Sequence, residues 1–303
     1  MELRVLNYFL AVAREQSIVK AAKTLHLSQP TLSTQLRALE EELGKQLLIR
    51  GTKGTRKVTL TEEGMILRKR AEEILSLVHK TEREISLSDE TIVGDVYIGT
   101  GETDAVRFVA RAARELYQTY PGIHYHISSG SAEFVSEQLD KGLIDFGIIF
   151  GNVNHTKYHS IELPFKDLWG VLMKKDSPLA QKEMIQPEDL KDRPLIISGQ
   201  TDSKATLSEW FQKELSELEV TATYNLLFNA SLMVEEGLGY AIGLDKIINT
   251  SGNSRLCFRP LSPRREAGMH IIWKRYQVFS KASEKFIEKL KLLSDDLDLR
   301  YLY

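Results

Sequence analysis

One face of a predicted helix near the start of the chain carries hydroxyl, amide and guanidinium side chains. Leucines at steps of four, three and four residues predict the helix and its buried stripe: Leu32, Leu36, Leu39 and Leu43. The opposite face and the first turn hold small or polar side chains that can approach base edges and phosphates: Ser28, Gln29, Pro30, Thr31, Ser33, Thr34 and Arg37. The glutamates at 40–42 would repel a polyanion. We therefore predict that the N-terminal half of this helix contacts nucleic acid.

Two further predicted helices would position this face. Apolar residues at helical spacing predict the first of them: Leu3, Leu6, Phe9, Leu10 and Ala13. Ser17 can cap the second, where Ala21 and Ala22 allow close packing. After a short turn, Ser28 can cap the third helix and Pro30 suits its first turn. An ordinary three-helix bundle with a solvated face would show the same periodicity, so both interpretations stay open on that pattern alone.

A basic hairpin is predicted directly after these helices. Residues 47–50 and 56–60 have the pattern of strands, and the glycine-containing segment 51–55 has that of a turn. The hairpin holds basic side chains that can contact phosphates or the minor groove: Arg50, Lys53, Arg56 and Lys57. A short-turn helix pair followed by a basic wing favours DNA binding over the simple bundle.

Charge and composition limit the classes of protein to consider. Residues 1–60 contain ten Lys/Arg and five acidic residues, whereas the rest of the chain contains 30 and 37. A basic head on an acidic body favours a polyanionic partner for the head, although a solvated surface can show the same balance. Cys257 is the only cysteine and lies in a strand-like run, which predicts a buried thiol in a reducing compartment. Without a signal-peptide pattern or an apolar run near roughly 18 residues, we expect a cytoplasmic protein.

A long amphipathic helix is predicted over residues 61–88. Thr61 can cap it, and Glu62 and Glu63 suit its N-terminus. Residues at alternating four- and three-residue steps form a heptad seam: Leu67, Ala71, Ile74, Val78, Thr81 and Ile85. The seam can pack on the protein's own body or pair with a second copy, and we favour the second copy.

Residues 89–303 alternate between predicted strands and helices, as in α/β proteins with parallel sheets. The rhythm restarts after Pro164, and a late strand near Gly268 leads back toward the first set of elements. Crossovers near 163 and 267 therefore predict two hinged lobes with a cleft between them. In such sheets, ligands bind beyond the carboxyl ends of the strands.

The cleft residues are predicted from those strand ends. They are Thr100, Glu102 and Thr103 after the first strand, Ser128 and Ser129 after the second, Ile149 and Phe150 at the third, and Gln200, Thr201 and Phe228 from the second lobe. Hydroxyls and helix N–H groups there could hold an organic anion. Each residue could equally be a loop cap. Glu102 and Asp104 oppose an anion unless they are paired, and Lys204 or Arg107 could offset them.

Several runs of the sequence resemble the LysR-type transcriptional regulators. They are residues 21–33, 36–44 and 60–64 in the head, and 120–122, 142–148, 177–180 and 236–241 in the remainder. By this resemblance Gln29, Pro30, Ser33 and Thr34 lie where the family contacts bases or adjacent phosphates, and Lys53 lies at the wing position. Thr34 stands where arginine is common, which leaves the base preference open, and Leu48 stands where phenylalanine is common.

The resemblance implies a fold and a set of partners. The expected fold is an α-helical winged helix-turn-helix domain (1–60), a dimerising linker helix (61–88) and a two-lobed α/β effector-binding domain (89–303), which is similar to periplasmic solute-binding proteins. Its first lobe is expected at 92–163 and 268–303, and its second at 164–267. The expected partners are an interrupted palindromic double-stranded DNA operator, a small-molecule effector, a second or further copies as homodimer or homotetramer, and RNA polymerase. A metabolite would close the cleft and so alter DNA bending.

Three other classes of protein fit the sequence less well. An enzyme is disfavoured because the seven histidines lack metal-ligand spacing, and no nucleophile elbow, phosphate loop or dinucleotide fingerprint is present. A free solute-binding protein would lack the head and carry an export signal. A purely architectural DNA binder would not need the cleft-forming lobes. We therefore expect no enzymatic activity, no metal and no cofactor.

Overall fold

A computed structural model describes residues 1–51, 57–86 and 92–301. The chain divides into two compact units, Met1–Leu87 and Ser88–Tyr303. Each unit has its own helices, strands and apolar core, and the two are described separately below.

Within residues 1–51 and 57–86, the first unit contains four helices and a two-stranded antiparallel sheet. Their bounds are α1 (Leu3–Glu15), α2 (Ile18–Thr24), α3 (Gln29–Leu43), β1 (Leu48–Arg50), β2 (Val58–Leu60) and α4 (Glu62–Ser86). The predicted caps are confirmed, because the hydroxyls of Ser17 and Ser28 accept the backbone N–H groups of Lys20 and Thr31. Gly44 ends α3 with φ 63°, a conformation that glycine adopts without a steric penalty.

The leucine stripe of α3 is the centre of the first unit's core. Leu32, Leu36 and Leu39 are almost fully buried and pack with Phe9 of α1. Leu43 was expected to extend the stripe, but it is 41% exposed because the helix ends there. The stripe thus fixes the orientation of α3 over its first three turns, which include the polar tip.

Half of the predicted seam residues of α4 pack against other residues of the same chain. Ala71 and Leu75 are buried against Leu6 of α1, and Leu67 and Ile74 pack beside them. For this part of the helix, the structure shows packing on the protein's own body, which is the alternative that we did not favour. Later positions of α4 remain open to solvent, and Ile85 is 78% exposed.

The second unit is an α/β assembly. Its elements are β3 (Gly94–Thr100), α5 (Val106–Tyr117), β4 (Ile123–Ser129), α6 (Ala132–Asp140), β5 (Phe146–Phe150), β6 (Tyr158–Lys174), α7 (Pro187–Leu190), β7 (Leu195–Ser198), α8 (Thr201–Phe211), β8 (Val220–Tyr224), α9 (Leu227–Glu235), β9 (Tyr240–Leu244), β10 (Leu256–Pro260), β11 (Glu266–Lys274) and α10 (Lys281–Tyr301). Two short 3₁₀ helices, Pro178–Gln181 and Leu215–Glu217, complete it.

The strands follow the order β4-β3-β5-β11-β6-β9-β7-β8, with β10 beside β6. β3 is parallel to β4 and β5, β7 is parallel to β8 and β9, and β11 and β6 run antiparallel to their neighbours. The first lobe comprises β3 to β5, most of β11 and the start of β6, and the second comprises the end of β6 with β7 to β10. The predicted two-lobed α/β fold is confirmed.

β6 joins the lobes as one long strand. Its residues from Tyr158 to Leu168 pair with β11, and those from Trp169 onward pair with β9 and β10. Pro164 was expected to separate the lobes, but it lies within β6, opposite a register shift between Gly268 and His270 of β11. A proline is tolerated at such an irregularity because no ladder N–H is required of it.

Each lobe is packed by helices on its sheet. In the first lobe, α5 and α10 cover one face with Phe108 and Phe286, while α6 covers the other with Val135 and Leu139. Cys257 is buried, as predicted. Among the described helices, none combines the length and apolar character that a membrane crossing requires.

Candidate nucleic-acid interface and ligand cleft

The polar tip of α3 is exposed, and hydrogen bonds between its own side chains hold them in place. Ser28 Oγ lies 2.7 Å from Thr31 Oγ1, and Gln29 Nε2 donates to Ser33 Oγ at 3.2 Å. The remaining predicted contact residues of this helix are also exposed: Pro30, Thr34 and Arg37. Ser33 is half-buried. The structure therefore brings all seven α3 candidates to one end and one face of a helix that its leucines hold in place.

Charge along α3 runs from neutral and basic at the tip to acidic at the end. Arg37 is exposed, whereas Glu41 and Glu42 lie in the last turns, and Glu42 pairs with the N-terminal ammonium of Met1. The first-turn N–H groups add partial positive charge at the tip. This polarity suits a phosphate-bearing partner at the tip only.

Arg50 has a role that the sequence did not suggest. Its Nη2 lies 3.0 Å from Oε2 of Glu40, while Oε1 of Glu40 accepts the N–H groups of Leu47 and Leu48 at 2.9 and 3.0 Å. The pair is half-buried and ties the start of β1 to α3. We expected Arg50 among the phosphate contacts, and the structure shows that its guanidinium also has a partner within the first unit. Lys53 and Arg56 lie outside the described residues.

The second unit contains a cavity where the strand ends of the two lobes meet. Its volume is about 50 Å³, and its wall includes Glu102, Thr103, Ile149, Phe150 and Gln200 from the predicted set. Thr100 and Ser129 instead line a neighbouring open depression of about 400 Å³, which Glu102 and Thr103 share. The lining residues of these two spaces do not include Ser128, Thr201 or Phe228, and Phe228 is 58% exposed.

Several cavity residues were not predicted. Trp169 lines the wall with its ring at 6.3 Å and 80° to that of Phe150. Ser198 and Tyr224 end β7 and β8, and the rule that selected Gln200 would have selected them. Trp169 could not be found in that way, because it lies in the middle of β6, where the strand passes between the lobes.

Glu102 connects the two lobes. Its Oε2 accepts a hydrogen bond from the backbone N–H of Leu227, the first residue of α9. The nearby Tyr224 donates its hydroxyl to the carbonyl of Ile242 at 2.7 Å. Burial raises the pKa of Tyr224, and the negative charge of Glu102 raises it further. Tyr224 therefore stays a neutral donor beside this carboxylate.

A second acidic group lies behind the cavity. Asp167 of β6 is 0% exposed, and its Oδ2 accepts the hydroxyl of Thr103 at 2.6 Å. Lys246 Nζ lies 3.8 Å from the other oxygen. Burial raises the pKa of Asp167, against the effects of Thr103 and Lys246. Asp104 pairs with Arg107 at 2.5 Å, as its sequence neighbourhood suggested.

Metal chemistry has no support in the described part of the chain, where no group of three or more His, Cys, Asp or Glu side chains could hold an ion. The arrangement instead offers hydrogen-bonding and apolar surfaces, which suit binding of a small molecule.

Comparisons with known proteins identify both units. The family model described as "Bacterial regulatory helix-turn-helix protein, lysR family" matches residues 3–65, and "LysR substrate binding domain" matches residues 90–293. An uncharacterized HTH-type transcriptional regulator, YvbU of Bacillus subtilis (strain 168), is 27% identical over 296 residues, covering 97% of this chain and 99% of that protein. AlsR, an HTH-type regulator from the same organism, is 37% identical over 65% of this chain and 64% of its own length.

Solved structures share the fold. CbnR, a LysR family transcriptional regulator, has a TM-score of 0.77 at 19% identity, with 97% of this chain and 99% of CbnR covered. Another CbnR structure, with its target DNA, has a TM-score of 0.76 at 21% identity and covers 96% of this chain and 99% of CbnR. The matched ranges confirm the resemblance seen in the sequence, and the chain belongs to the LysR family of DNA-binding transcriptional regulators with an effector-binding domain.

Proposed function

We propose that this regulator reads an interrupted palindromic operator with the tip of α3 and responds to a small molecule held between its lobes. The observation that carries the proposal is the exposed polar tip of α3 above a buried leucine stripe. A helix held in this way can enter the major groove with its first turns. We place the protein in the cytoplasm and assign it no enzymatic activity, because its relatives are transcriptional regulators.

Base readout and phosphate contact are assigned to different residues. Gln29, Ser33 and Thr34 read base edges, since their amide and hydroxyl groups can both donate and accept. The phosphate contacts come from Ser28, Thr31 and Arg37 around the tip, together with Lys53 and Arg56 of the wing, and Pro30 makes van der Waals contact with the backbone of the DNA. Arg50 is omitted, because Glu40 already pairs with it.

The protein acts as a homodimer or homotetramer in this proposal. The second half of α4 supports it, because Leu77 and Ile85 are exposed apolar residues on a helix whose first half is already packed. Two heads related by a twofold axis require two inverted half-sites, separated by one or more turns of DNA.

The effector occupies the cavity between a first lobe at 92–163 and 268–303 and a second lobe at 164–267. Its contacts are assigned to the predicted residues that line the cavity, with Trp169 added. A ligand changes the regulator only through its different affinity for two arrangements of the lobes. Contact with RNA polymerase is a further expected step, for which the chain offers no separate observation.

Selection from a random DNA library tests the proposal. Full-length protein should enrich one sequence with two inverted half-sites, and Ser33→Ala or Thr34→Ala should change the enriched bases. Absence of any enrichment over random duplex at moderate salt, with candidate metabolites present, would refute it.

The salt dependence of binding tests Lys53 separately. Lys53→Ala should lower the slope of log K against log salt by about 1 and weaken binding to all sequences alike. Lys191→Ala, an exposed lysine of the second lobe, is the control and should leave the slope unchanged. An equal slope in the two variants would remove Lys53 from the phosphate contacts.

A further inference from the structure

Two helices of the second lobe begin at the cleft without an N-cap side chain of their own. The N-cap residue of α9 is Leu226 and that of α8 is Gln200, and neither side chain bonds its helix. In contrast, α2, α3 and α6 are each capped by their own serine: Ser17, Ser28 and Ser131. The first N–H groups of α8 and α9 therefore need acceptors from elsewhere.

Carboxylates of the first lobe lie at these two N-termini. Glu102, in the loop after β3, accepts the N–H of Leu227 in α9. The backbone N–H of Glu133, in the first turn of α6, and the hydroxyl of Ser131 lower the pKa of this carboxyl, and the nearby Thr201, the first residue of α8, lowers it further. The Glu102 bond crosses the cleft from one lobe to the other, and Glu133 lies near the second lobe at the start of α8. A carboxylate is also the preferred partner of a helix N-terminus, because the helix dipole is positive there.

The bond from Glu102 reaches a buried residue in the wall of the cavity. Leu227 is 3% exposed, so water cannot readily replace the carboxylate at its N–H. A hydrogen bond to a charged group shifts an equilibrium by roughly ten- to a hundredfold. The Glu102–Leu227 contact is therefore strong enough to favour the arrangement in which the lobes are together.

The cavity that remains is too small for most organic molecules. Its volume is about 50 Å³, whereas an apolar cavity of about 150 Å³ is known to bind benzene. An effector of more than a few atoms that enters this cavity must therefore displace part of its wall, to which both Glu102 and Leu227 belong.

We propose that Glu102 is an internal latch, which holds the first lobe to α9 in the effector-free protein and is released when an effector enters the cleft. The inference rests on the proposed function, in which the cleft is the effector site. From the sequence we expected a metabolite to close the cleft, whereas in this proposal the effector opens a cleft that is already closed. The binding free energy of the effector then has to exceed that of the latch.

Hydrogen–deuterium exchange of the full-length protein, without DNA or effector, tests the latch. Glu102→Gln keeps an acceptor but removes the charge, and Glu102→Asp keeps the charge but shortens its reach. In both variants the Leu227 amide should exchange at least about tenfold faster. Because the lobes then separate, exchange should also rise at the start of α8, which does not receive the Glu102 bond.

Glu137→Gln is the matched control. Glu137 is an exposed carboxylate of α6 that bonds Lys141 within the same helix at 2.6 Å, and it does not line the cavity. It should leave exchange at α8 and α9 unchanged. Circular dichroism at the same temperature checks that every variant is folded.

Two outcomes would overturn the latch. Faster exchange confined to Leu227 would make Glu102 a local helix cap, and unchanged exchange in both variants would remove its role altogether. Neither measurement involves DNA, so failure of the latch is distinguishable from a failure to select an operator, which would refute the proposed function instead.

Discussion

The helix N-termini of α3 and α9 show two opposite uses of the same chemistry. At α3, Ser28 caps the helix from within and the surrounding polar side chains face solvent. At α9, a leucine stands at the N-cap and Glu102 supplies the acceptor from a distant part of the chain. When a helix's own serine accepts its first N–H groups, that end of the helix can still contact an external partner. When a residue of the other lobe supplies the acceptor, that end of the helix links the two lobes.

The difference also explains what holds each N-terminus in position. The α3 tip depends on the leucine core beneath it. The α9 N-terminus is also anchored by the buried Leu227, but it takes its hydrogen-bond acceptor from a carboxylate across a cleft. The following three predictions test this contrast, and the largest effect concerns the core of the first unit.

Leu36→Ala should destabilise the first unit by about 3 kcal/mol, because it removes a side chain that is 1% exposed and leaves a cavity. Leu43→Ala should cost well under about 1 kcal/mol, since Leu43 belongs to the same stripe but is 41% exposed. Chemical denaturation of the full-length protein, followed by circular dichroism, measures both, and operator binding should fall only with Leu36→Ala. Equal costs would mean that the tip of α3 is not held by its leucines.

A smaller effect distinguishes the role of Ser28 as the N-cap of α3 from its proposed contact with DNA. Ser28→Ala and Ser17→Ala each remove an N-cap hydroxyl that accepts a backbone N–H at 3.3 Å, so each should cost about 1 kcal/mol of stability. Only Ser28 also lies at the proposed DNA interface. Operator affinity, measured by fluorescence anisotropy where both variants are folded, should therefore fall more for Ser28→Ala. If the two variants bind equally well, Ser28 serves only as a cap.

The first unit was predictable because its signals are local. A cap, a leucine stripe and a terminal glycine lie within one short stretch, and the structure has each of them near its expected position. Leu43 was missed because exposure at a helix end depends on where the chain turns away. The pairing of Arg50 with Glu40 was missed for a related reason, since a basic residue in a wing gives no sign of which acidic residue lies beside it.

The cleft was predictable only in outline. Strand ends gave Glu102, Thr103, Ile149, Phe150 and Gln200, which do line the cavity. The sequence could not show that Glu102 meets Leu227, because the two are 125 positions apart and belong to different lobes. Nor could it show that β6 continues through Pro164, because the bulge that accommodates the proline lies on β11.

The smallest expected effect concerns Glu133 of α6, which lies near Thr201 at the N-terminus of α8. The backbone N–H of Glu133 itself and the hydroxyl of Ser131 lower its pKa below the ordinary 4.5, against burial, and the bonds from Thr201 lower it further. Since folding favours the ionised form, its contribution to stability is present above pH 4.5 and is lost as the pH falls through the lowered pKa.

Glu133→Gln should therefore reduce the free energy of unfolding near neutral pH, and the difference from the parent protein should vanish in acid. The change should stay under about 1 kcal/mol, because Glu133 is exposed and solvent screens its charge. Chemical denaturation from pH 7 to pH 3 measures it, with Glu236→Gln, an exposed carboxylate just after α9, as the control. A difference that persists in acid would mean that the ionised carboxylate of Glu133 is not what stabilises the start of α8. Glu102 would then be the only carboxylate assigned to a cross-cleft bond, and the contrast with α3 would rest on α9 alone.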